Sequence, residues 1–169
     1  MSQVNTEIGD PSSRWIMRTI NGPDGLRAVA VTRNGSSSFV IKCDNAGPNS
    51  IYIDVLTSPP FGGNFDKRRL DFSFDAEPLK ESAWTYWEEH VVLFDAGAYL
   101  ERLATAGRAS FRAYRADGAA VDLVFDVAGA DLAIKYVAEV CLSDPIAEND
   151  PIFATVSLEQ LNRVRAAGD

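Results

Sequence analysis

Short stretches in which apolar and polar residues alternate recur along most of the chain. In residues 38–43, Phe39, Ile41 and Cys43 fall on one side, and polar or smaller residues separate them. Such alternation is typical of a β-strand with one buried face. The aromatic and β-branched stretch 83–94 favours one long or bent strand. We predict about seven or eight strands, with the remaining ones near 14–20, 26–32, 50–56, 69–75, 109–115 and 119–126.

Two segments carry the spacing of a helix instead. Apolar residues between Ala130 and Cys141 recur at intervals of three and four, which places them on one helix face. A shorter stripe predicts a helix near 96–105 that ends at Gly107. The predicted fold class is α+β: an antiparallel β-sheet or sandwich with two packed helices and a short C-terminal helix.

The organisation along the chain follows from these elements. Residues 1–13 are polar and predict a flexible N-terminal arm. Residues 14–142 form a single β-rich domain, and residues 143–169 form an acidic loop followed by a helix that begins with a capping box at Ser157 and Gln160. A chain of 169 residues is long enough for one domain with a sizeable core.

Charge and hydropathy limit the partners that we expect. The formal net charge is -8, and a chain without a marked basic cluster is poorly suited to nucleic acid. No apolar run approaches the length of a membrane span, and the first residues lack the features of a secretory signal. Either a cytosolic protein or a secreted one whose leader has been removed fits this start.

The chain has two cysteines, Cys43 and Cys141, each on the apolar face of its predicted element. A bridge between them would close a loop of about 100 residues and stabilise the fold by about 4.7 kcal/mol. Two buried free thiols are the alternative, because unpaired cysteine behaves as a small apolar residue. A disulfide would indicate an oxidising compartment.

No pattern in the sequence indicates catalysis or a bound metal or cofactor. His90 is the only histidine, and no nucleophile motif accompanies it. The carboxylates on predicted strands, such as Asp54, Asp71 and Glu88, lie on the polar side of their alternations and favour a solvated sheet face over acid–base chemistry. We therefore expect a protein that is not an enzyme and that carries no metal site or cofactor.

Aromatic residues are most concentrated at 84–87, near a loop rich in proline and glycine at 57–64. Trp84 and Trp87 cannot both face the core from a regular strand. Core packing is one interpretation of these rings, and recognition of a glycan, peptide or protein is the other. The candidate binding surface consists of Trp84, Tyr86, Trp87, Pro59, Pro60 and Phe61.

Several of these features together resemble a known family. The chain looks like the VasI/TagO-like proteins associated with type VI secretion. The resemblance is carried by the stretch from Phe39 to Cys43, by the segment from Val124 to Ile134 with Cys141 beyond it, and by the aromatic residues Tyr52, Trp84, Phe94 and Phe111. Exported proteins of the invasion-associated locus B type share these features. The resemblance covers about residues 15–141 and implies a β-rich periplasmic accessory or binding protein without established catalytic residues.

The expected function is therefore a non-enzymatic binding or assembly accessory protein of the bacterial cell envelope, with a protein partner. A cytosolic or phage-encoded protein-interaction module is the alternative, and a hydrolase of cell-wall or glycan substrates is a third hypothesis. If the disulfide forms, the protein is periplasmic or secreted; otherwise it is cytoplasmic.

Overall fold

The computed structural model describes residues 5–8, 15–22, 25–43 and 51–141; residues 5–8, 20–22, 25–26 and 141 are described by their backbone alone. The described residues form ten strands and two helices. Their bounds, in chain order, are β1 Asn5–Ile8, β2 Ile16–Gly22, β3 Gly25–Asn34, β4 Ser37–Cys43, β5 Ile51–Leu56, β6 Asn64–Phe74, β7 Lys80–Trp87, β8 His90–Leu93, α1 Gly97–Leu103, β9 Arg108–Tyr114, β10 Ala120–Asp126 and α2 Ala130–Cys141.

The predicted α+β class and its antiparallel sheet with two helices are confirmed, but the strands outnumber the expected seven or eight. One added strand is β1, which pairs with β2 inside the segment that we expected to be a loose arm. The other arises because the stretch 83–94 folds into a hairpin of β7 and β8, with Glu88 at a φ of 52° in the turn. The predicted acidic loop and C-terminal helix at 143–169 lie outside the described residues.

All ten strands belong to one antiparallel sheet with the order β1-β2-β3-β4-β5-β8-β7-β6-β9-β10. The sheet curls until the end of β10 approaches the end of β3. There the Thr32 hydroxyl donates to the Asp126 carbonyl over 3.0 Å, and the Asn34 amide donates to the Val124 carbonyl over 2.8 Å. Side chains of β3 therefore bridge the seam between the two strands, although the sheet is not closed.

The concave face of the sheet holds an aromatic core. Phe39 lies at its centre, with ring centroids 5.9 Å from Trp15 and 5.7 Å from both Phe111 and Phe125. Tyr99 of α1 stacks on Phe39 at 6.5 Å and so fixes the short helix against the sheet. Burial of such large rings supplies much of the apolar area that stabilises a domain of this size.

The second helix, α2, packs on the same face, mainly against β3 and β4. Ala133, Ile134 and Val137 are fully buried, as the spacing of three and four predicts. Cys43 is also fully buried, on the strand beneath this helix. Both helices thus cover the concave side, and the convex side of the sheet faces outward.

Candidate functional site

The structure separates the six residues of the predicted binding surface. Trp84 and Tyr86 point into the core from alternate positions of β7 and are 1 % and 0 % exposed, and Phe61 is 1 % exposed. Trp87 follows at an outward position and is 39 % exposed. Pro59 and Pro60 are exposed in the loop before β6. Trp87 is therefore the one aromatic side chain of the predicted surface that is exposed, together with the two prolines.

The proline-containing loop is held by hydrogen bonds and packing. The Arg115 guanidinium donates to the carbonyls of Pro59 and Pro60 over 3.1 and 2.8 Å. Phe61 inserts beneath it and meets the Tyr86 ring edge-on at 5.8 Å. This segment consequently closes one end of the core, and its apolar residue contributes to packing.

Gly62 and Gly63 connect the proline-containing loop to the turn that follows Trp87. Arg68 lies 4.1 Å from the centre of the Tyr86 ring and donates to the Gly62 carbonyl. Gly63 has a φ of +133°, and a Cβ there would lie 2.6 Å from the Arg68 Nη2 and 2.8 Å from the Tyr86 carbonyl oxygen. Only glycine fits at this position. The amide of Gly62 also donates to the backbone carbonyl of Glu88 over 3.0 Å, which fixes the β7–β8 turn.

Three rings stack on the convex face beside this turn, and we call Phe65, Trp87 and His90 the aromatic ridge. The Phe65 and Trp87 centroids are 4.8 Å apart with planes inclined by 19°, and Trp87 and His90 are 5.2 Å apart with planes inclined by 18°. Phe65 is 58 % exposed. It lies at a β-bulge of β6 with a φ of 58°, a left-handed conformation that is uncommon for a large side chain.

A buried ion cluster lies beneath the ridge. Asp54 of β5 is only 2 % exposed, and its Oδ2 accepts from His90 Nδ1 over 2.8 Å and lies 3.1 Å from Lys42 Nζ. The other oxygen of this carboxylate, Oδ1, is buried with no hydrogen-bond partner among the described residues. The second ring nitrogen, His90 Nε2, lies 3.4 Å from a carboxylate oxygen of Glu89. An acidic residue therefore anchors the ring that ends the stack.

The His90–Asp54 pair has the geometry that orients a general base in hydrolases, but the other parts of such a site do not accompany it. No hydroxyl or thiol of a described residue is hydrogen-bonded to His90. In the described part of the chain, no three His, Cys, Asp or Glu side chains are grouped so that they could hold a metal ion. Glu88 and Asp71 lie at opposite ends of the β6–β7 hairpin, since Asp71 pairs with Glu81 at its far end.

A second ion network lies on the convex face over β6, β9 and β10. The Arg69 guanidinium donates to both oxygens of Asp71, over 2.9 and 3.1 Å, and the Tyr114 hydroxyl donates to Oδ2 over 2.9 Å. These hydrogen bonds, that of Arg69 foremost, lower the pKa of Asp71, and the same carboxylate raises the pKa of Tyr114. Arg112 pairs with Asp122 over 2.8 Å and lowers the pKa of that carboxyl.

Two members of the candidate site did not emerge from the sequence. Phe65 carries no periodic signal, although Gly62 and Gly63 just before it indicate an irregular backbone. Asp54 was expected on a solvated face, yet Lys42 and His90 from neighbouring strands enclose it. Lys42 lies diagonally opposite Asp54 because β4 and β5 pair with Val40 opposite Asp54, and this register could not be read from the alternation of either strand alone.

No protein-family model matches the chain, and it has no significant match among curated proteins or solved structures. None of the helices in the described ranges has both the length and the apolar character to cross a membrane.

Proposed function

We propose that this protein is a non-enzymatic binding or assembly module and that the aromatic ridge is its contact surface. The observation that carries the proposal is the exposed stack of Phe65 and Trp87, anchored through His90 to a buried carboxylate. Binding energy at protein interfaces concentrates in a few large rings that surrounding contacts hold in place. A stacked pair presents such a group without the entropy cost of ordering separate side chains.

The backbone at Phe65 supports this proposal. A non-glycine residue in the left-handed region costs roughly 1–2 kcal/mol. The side chain that bears this cost is also the most exposed of the large apolar residues in the described chain. Stability alone would favour glycine or asparagine at this bulge, and a phenylalanine there is explained by a partner that contacts it.

The surroundings of the ridge favour a basic and apolar segment of a partner protein. Three acidic residues are next to members of the ridge in the chain: Glu89 lies 3.4 Å from His90, Asp66 pairs with Arg68, and Glu88 is exposed without an ion pair among the described residues. An arginine of the partner could pack on the open face of Phe65 and pair with Glu88, while apolar side chains contact Trp87. The net charge of -8 would also speed the approach of a basic partner.

A peptide titration tests this role. Because Trp15 and Trp84 are buried, a change in tryptophan emission on adding a peptide of alternating arginine and leucine would report on Trp87. We expect Phe65→Ser to weaken binding at least about tenfold, as loss of a central contact does. The matched control is Leu132→Ser, which removes an exposed apolar side chain from α2.

Two outcomes would contradict the ridge as a contact surface. Either Phe65→Ser and Leu132→Ser bind the peptide equally, or a peptide with glutamine in place of arginine binds as tightly as the basic one. Circular dichroism of each variant shows whether a weaker signal reflects loss of the fold.

We also propose a setting in the bacterial cell envelope, including a role beside type VI secretion, and this part rests on a disulfide between Cys43 and Cys141. Cys43 is fully buried under α2, the helix that ends at Cys141, and no cysteine among the described residues is a free thiol. Intact mass with and without reductant, on protein from an oxidising compartment, tests the pairing. Two free thiols there would remove the argument for the envelope.

A further inference from the structure

His90 is the member of the aromatic ridge whose charge can change, and it is the only histidine in the chain. An imidazole ordinarily gains its proton between about pH 8 and pH 5. Carboxylates, lysines and arginines ordinarily keep their charges over this range. A fall in pH therefore acts on the ridge through this one side chain.

Both ring nitrogens of His90 face carboxylates. Nδ1 lies 2.8 Å from Asp54 Oδ2 on β5, and Nε2 lies 3.4 Å from Glu89 Oε1 in the turn before β8. A neutral imidazole has one N–H and can donate to one of these groups, whereas the imidazolium can donate to both. Protonation therefore adds an attraction between His90 and Glu89 that the neutral ring lacks.

The remaining elements packed around His90 bring one cation close to it. Lys42 of β4 lies 3.1 Å from Asp54 Oδ2, the oxygen that His90 also uses, so the charge of this buried carboxylate is already balanced. From β7 the ring meets Trp87, which is uncharged. Glu89, whose side chain is 44 % exposed, is consequently the carboxylate whose charge a proton on His90 offsets.

Two carboxylates beside the ridge are available to a partner, those of Glu88 and Glu89. Glu88 makes no ion pair with a residue that the structure describes, and Glu89 meets only His90. With a neutral ring, both carboxylates can attract a cation. With a charged ring, Glu89 is paired and one more positive charge lies on the ridge. The attraction for a basic segment is therefore smaller when His90 carries its second proton.

A protonated ring also stacks more strongly on Trp87, whose centroid lies 5.2 Å away in a plane inclined by 18°. This attraction acts inside the protein whether or not a partner is bound, so it favours the fold and cancels in the affinity. The charge of His90 acts on the partner itself. The electrostatic effect therefore decides the direction in which the affinity changes.

We infer that protonation of His90 weakens binding of a basic partner at the aromatic ridge, so that a fall in pH favours release. The inference rests on the function proposed above and adds regulation to the same site. Its size is limited because exposed charges interact weakly, and one such pair changes an affinity by about two- to fivefold.

Fluorescence anisotropy of a labelled peptide tests the inference at about pH 8 and pH 5.5 in constant low salt. The peptide alternates arginine and leucine and is acetylated and amidated, so that it does not titrate. We expect about threefold weaker binding at the lower pH. His90→Gln removes the titrating ring while its amide can still donate to Asp54, and this variant should bind equally at both pH values.

A second variant tests the same effect without altering the ring. Glu89→Gln should weaken binding at about pH 8 by about threefold, because one of the two available carboxylates is lost. The matched control is Glu101→Gln, which removes the same charge from an exposed position of α1 and should bind as the unaltered protein does. Circular dichroism at both pH values shows whether each variant keeps its fold.

Equal affinity of the unaltered protein at the two pH values would overturn the inference, and the ridge proposal would stand as long as Phe65→Ser still weakens binding. Tighter binding at the lower pH would also overturn it, because stacking of His90 on Trp87 would then outweigh the charge. A pH dependence that persists in His90→Gln would assign the effect to another group. Absence of binding at both pH values would contradict the ridge proposal and this inference together.

Discussion

Two carboxylates on the convex face of the same sheet are both buried, yet their hydrogen bonding differs. Asp71 is 5 % exposed, and both of its oxygens accept hydrogen bonds from Arg69, with Tyr114 adding another. Asp54 is 2 % exposed and uses only Oδ2, while Oδ1 has no partner among the described residues. Buried acceptors are nearly always satisfied in folded proteins.

The difference lies in how much hydrogen-bonding capacity each carboxylate keeps. The oxygens of Asp71 are used within its own sheet, so this network has little to offer a partner. Asp54 orients His90 beneath an exposed stack and retains an unused acceptor. An unsatisfied buried group of this kind lowers stability.

The largest expected difference between these two sites is in stability. Asp71→Asn removes the two-point pairing with Arg69 and should lower the free energy of unfolding by about 2 kcal/mol. Asp54→Asn loses the charge that pairs with Lys42, but it should cost less, about 1 kcal/mol, because the amide oxygen can still accept from His90 and Lys42, the Lys42 side chain reaches solvent, and one unsatisfied atom was already present. Urea unfolding of both variants measures the contrast, and a larger loss for Asp54→Asn would contradict it.

Asp71 should also contribute to the acid dependence of stability. The pKa of Asp71 is lowered from 3.8 by Arg69, so its ionised form is favoured in the folded protein. Its contribution is full above the unfolded-state pKa and is lost as pH falls below 3.8 through the folded-state value.

Unfolding measured across this acid range in the unaltered protein and in Asp71→Asn tests the assignment. As pH falls from the unfolded-state pKa of Asp71 to its folded-state pKa, the variant should lose less stability than the unaltered protein, because it lacks the carboxyl whose ionisation favours the fold. Parallel curves for the two proteins would show that Asp71 does not contribute to acid sensitivity.

The smallest expected effect concerns the ridge itself. Phe65→Gly relieves a left-handed backbone worth roughly 1–2 kcal/mol, but it removes stacking on Trp87 worth about 0.5–1.5 kcal/mol. We expect the melting temperature to change little while binding of the basic peptide is lost. Phe65→Ala is the control that loses the ring and keeps the strained backbone, and it should be the less stable of the two. The reverse order would show that Phe65 is held by its packing.

The regular elements could be predicted because their signals are local. The apolar spacing in 130–141 and the alternation in 38–43 each follow from the geometry of one helix or strand. The turn at Glu88 was missed, since it contains none of the glycine, asparagine or proline residues that mark most turns. The strand expected at 83–94 is therefore two strands.

The candidate site was predicted only in part, at Trp87. That Trp87 faces the opposite side of β7 from Trp84 follows from their spacing in the sequence. Which side chains surround Trp87 does not. Phe65 reaches Trp87 through a bulge, and His90 reaches it across the hairpin of β7 and β8. Pro59, Pro60 and Phe61, which were grouped with it by composition, belong to a loop whose apolar ring closes the core.

The sequence by itself determined which side of β4, β5, β6 and β10 is apolar, where the two helices lie, and the antiparallel α+β class. The tertiary structure alone decided which outward side chains meet. The sheet order places β8 between β5 and β7 and brings Asp54, His90 and Trp87 together. The physical reason is that the period of one strand depends on adjacent residues, whereas cross-strand contacts depend on register and curvature set by the whole core.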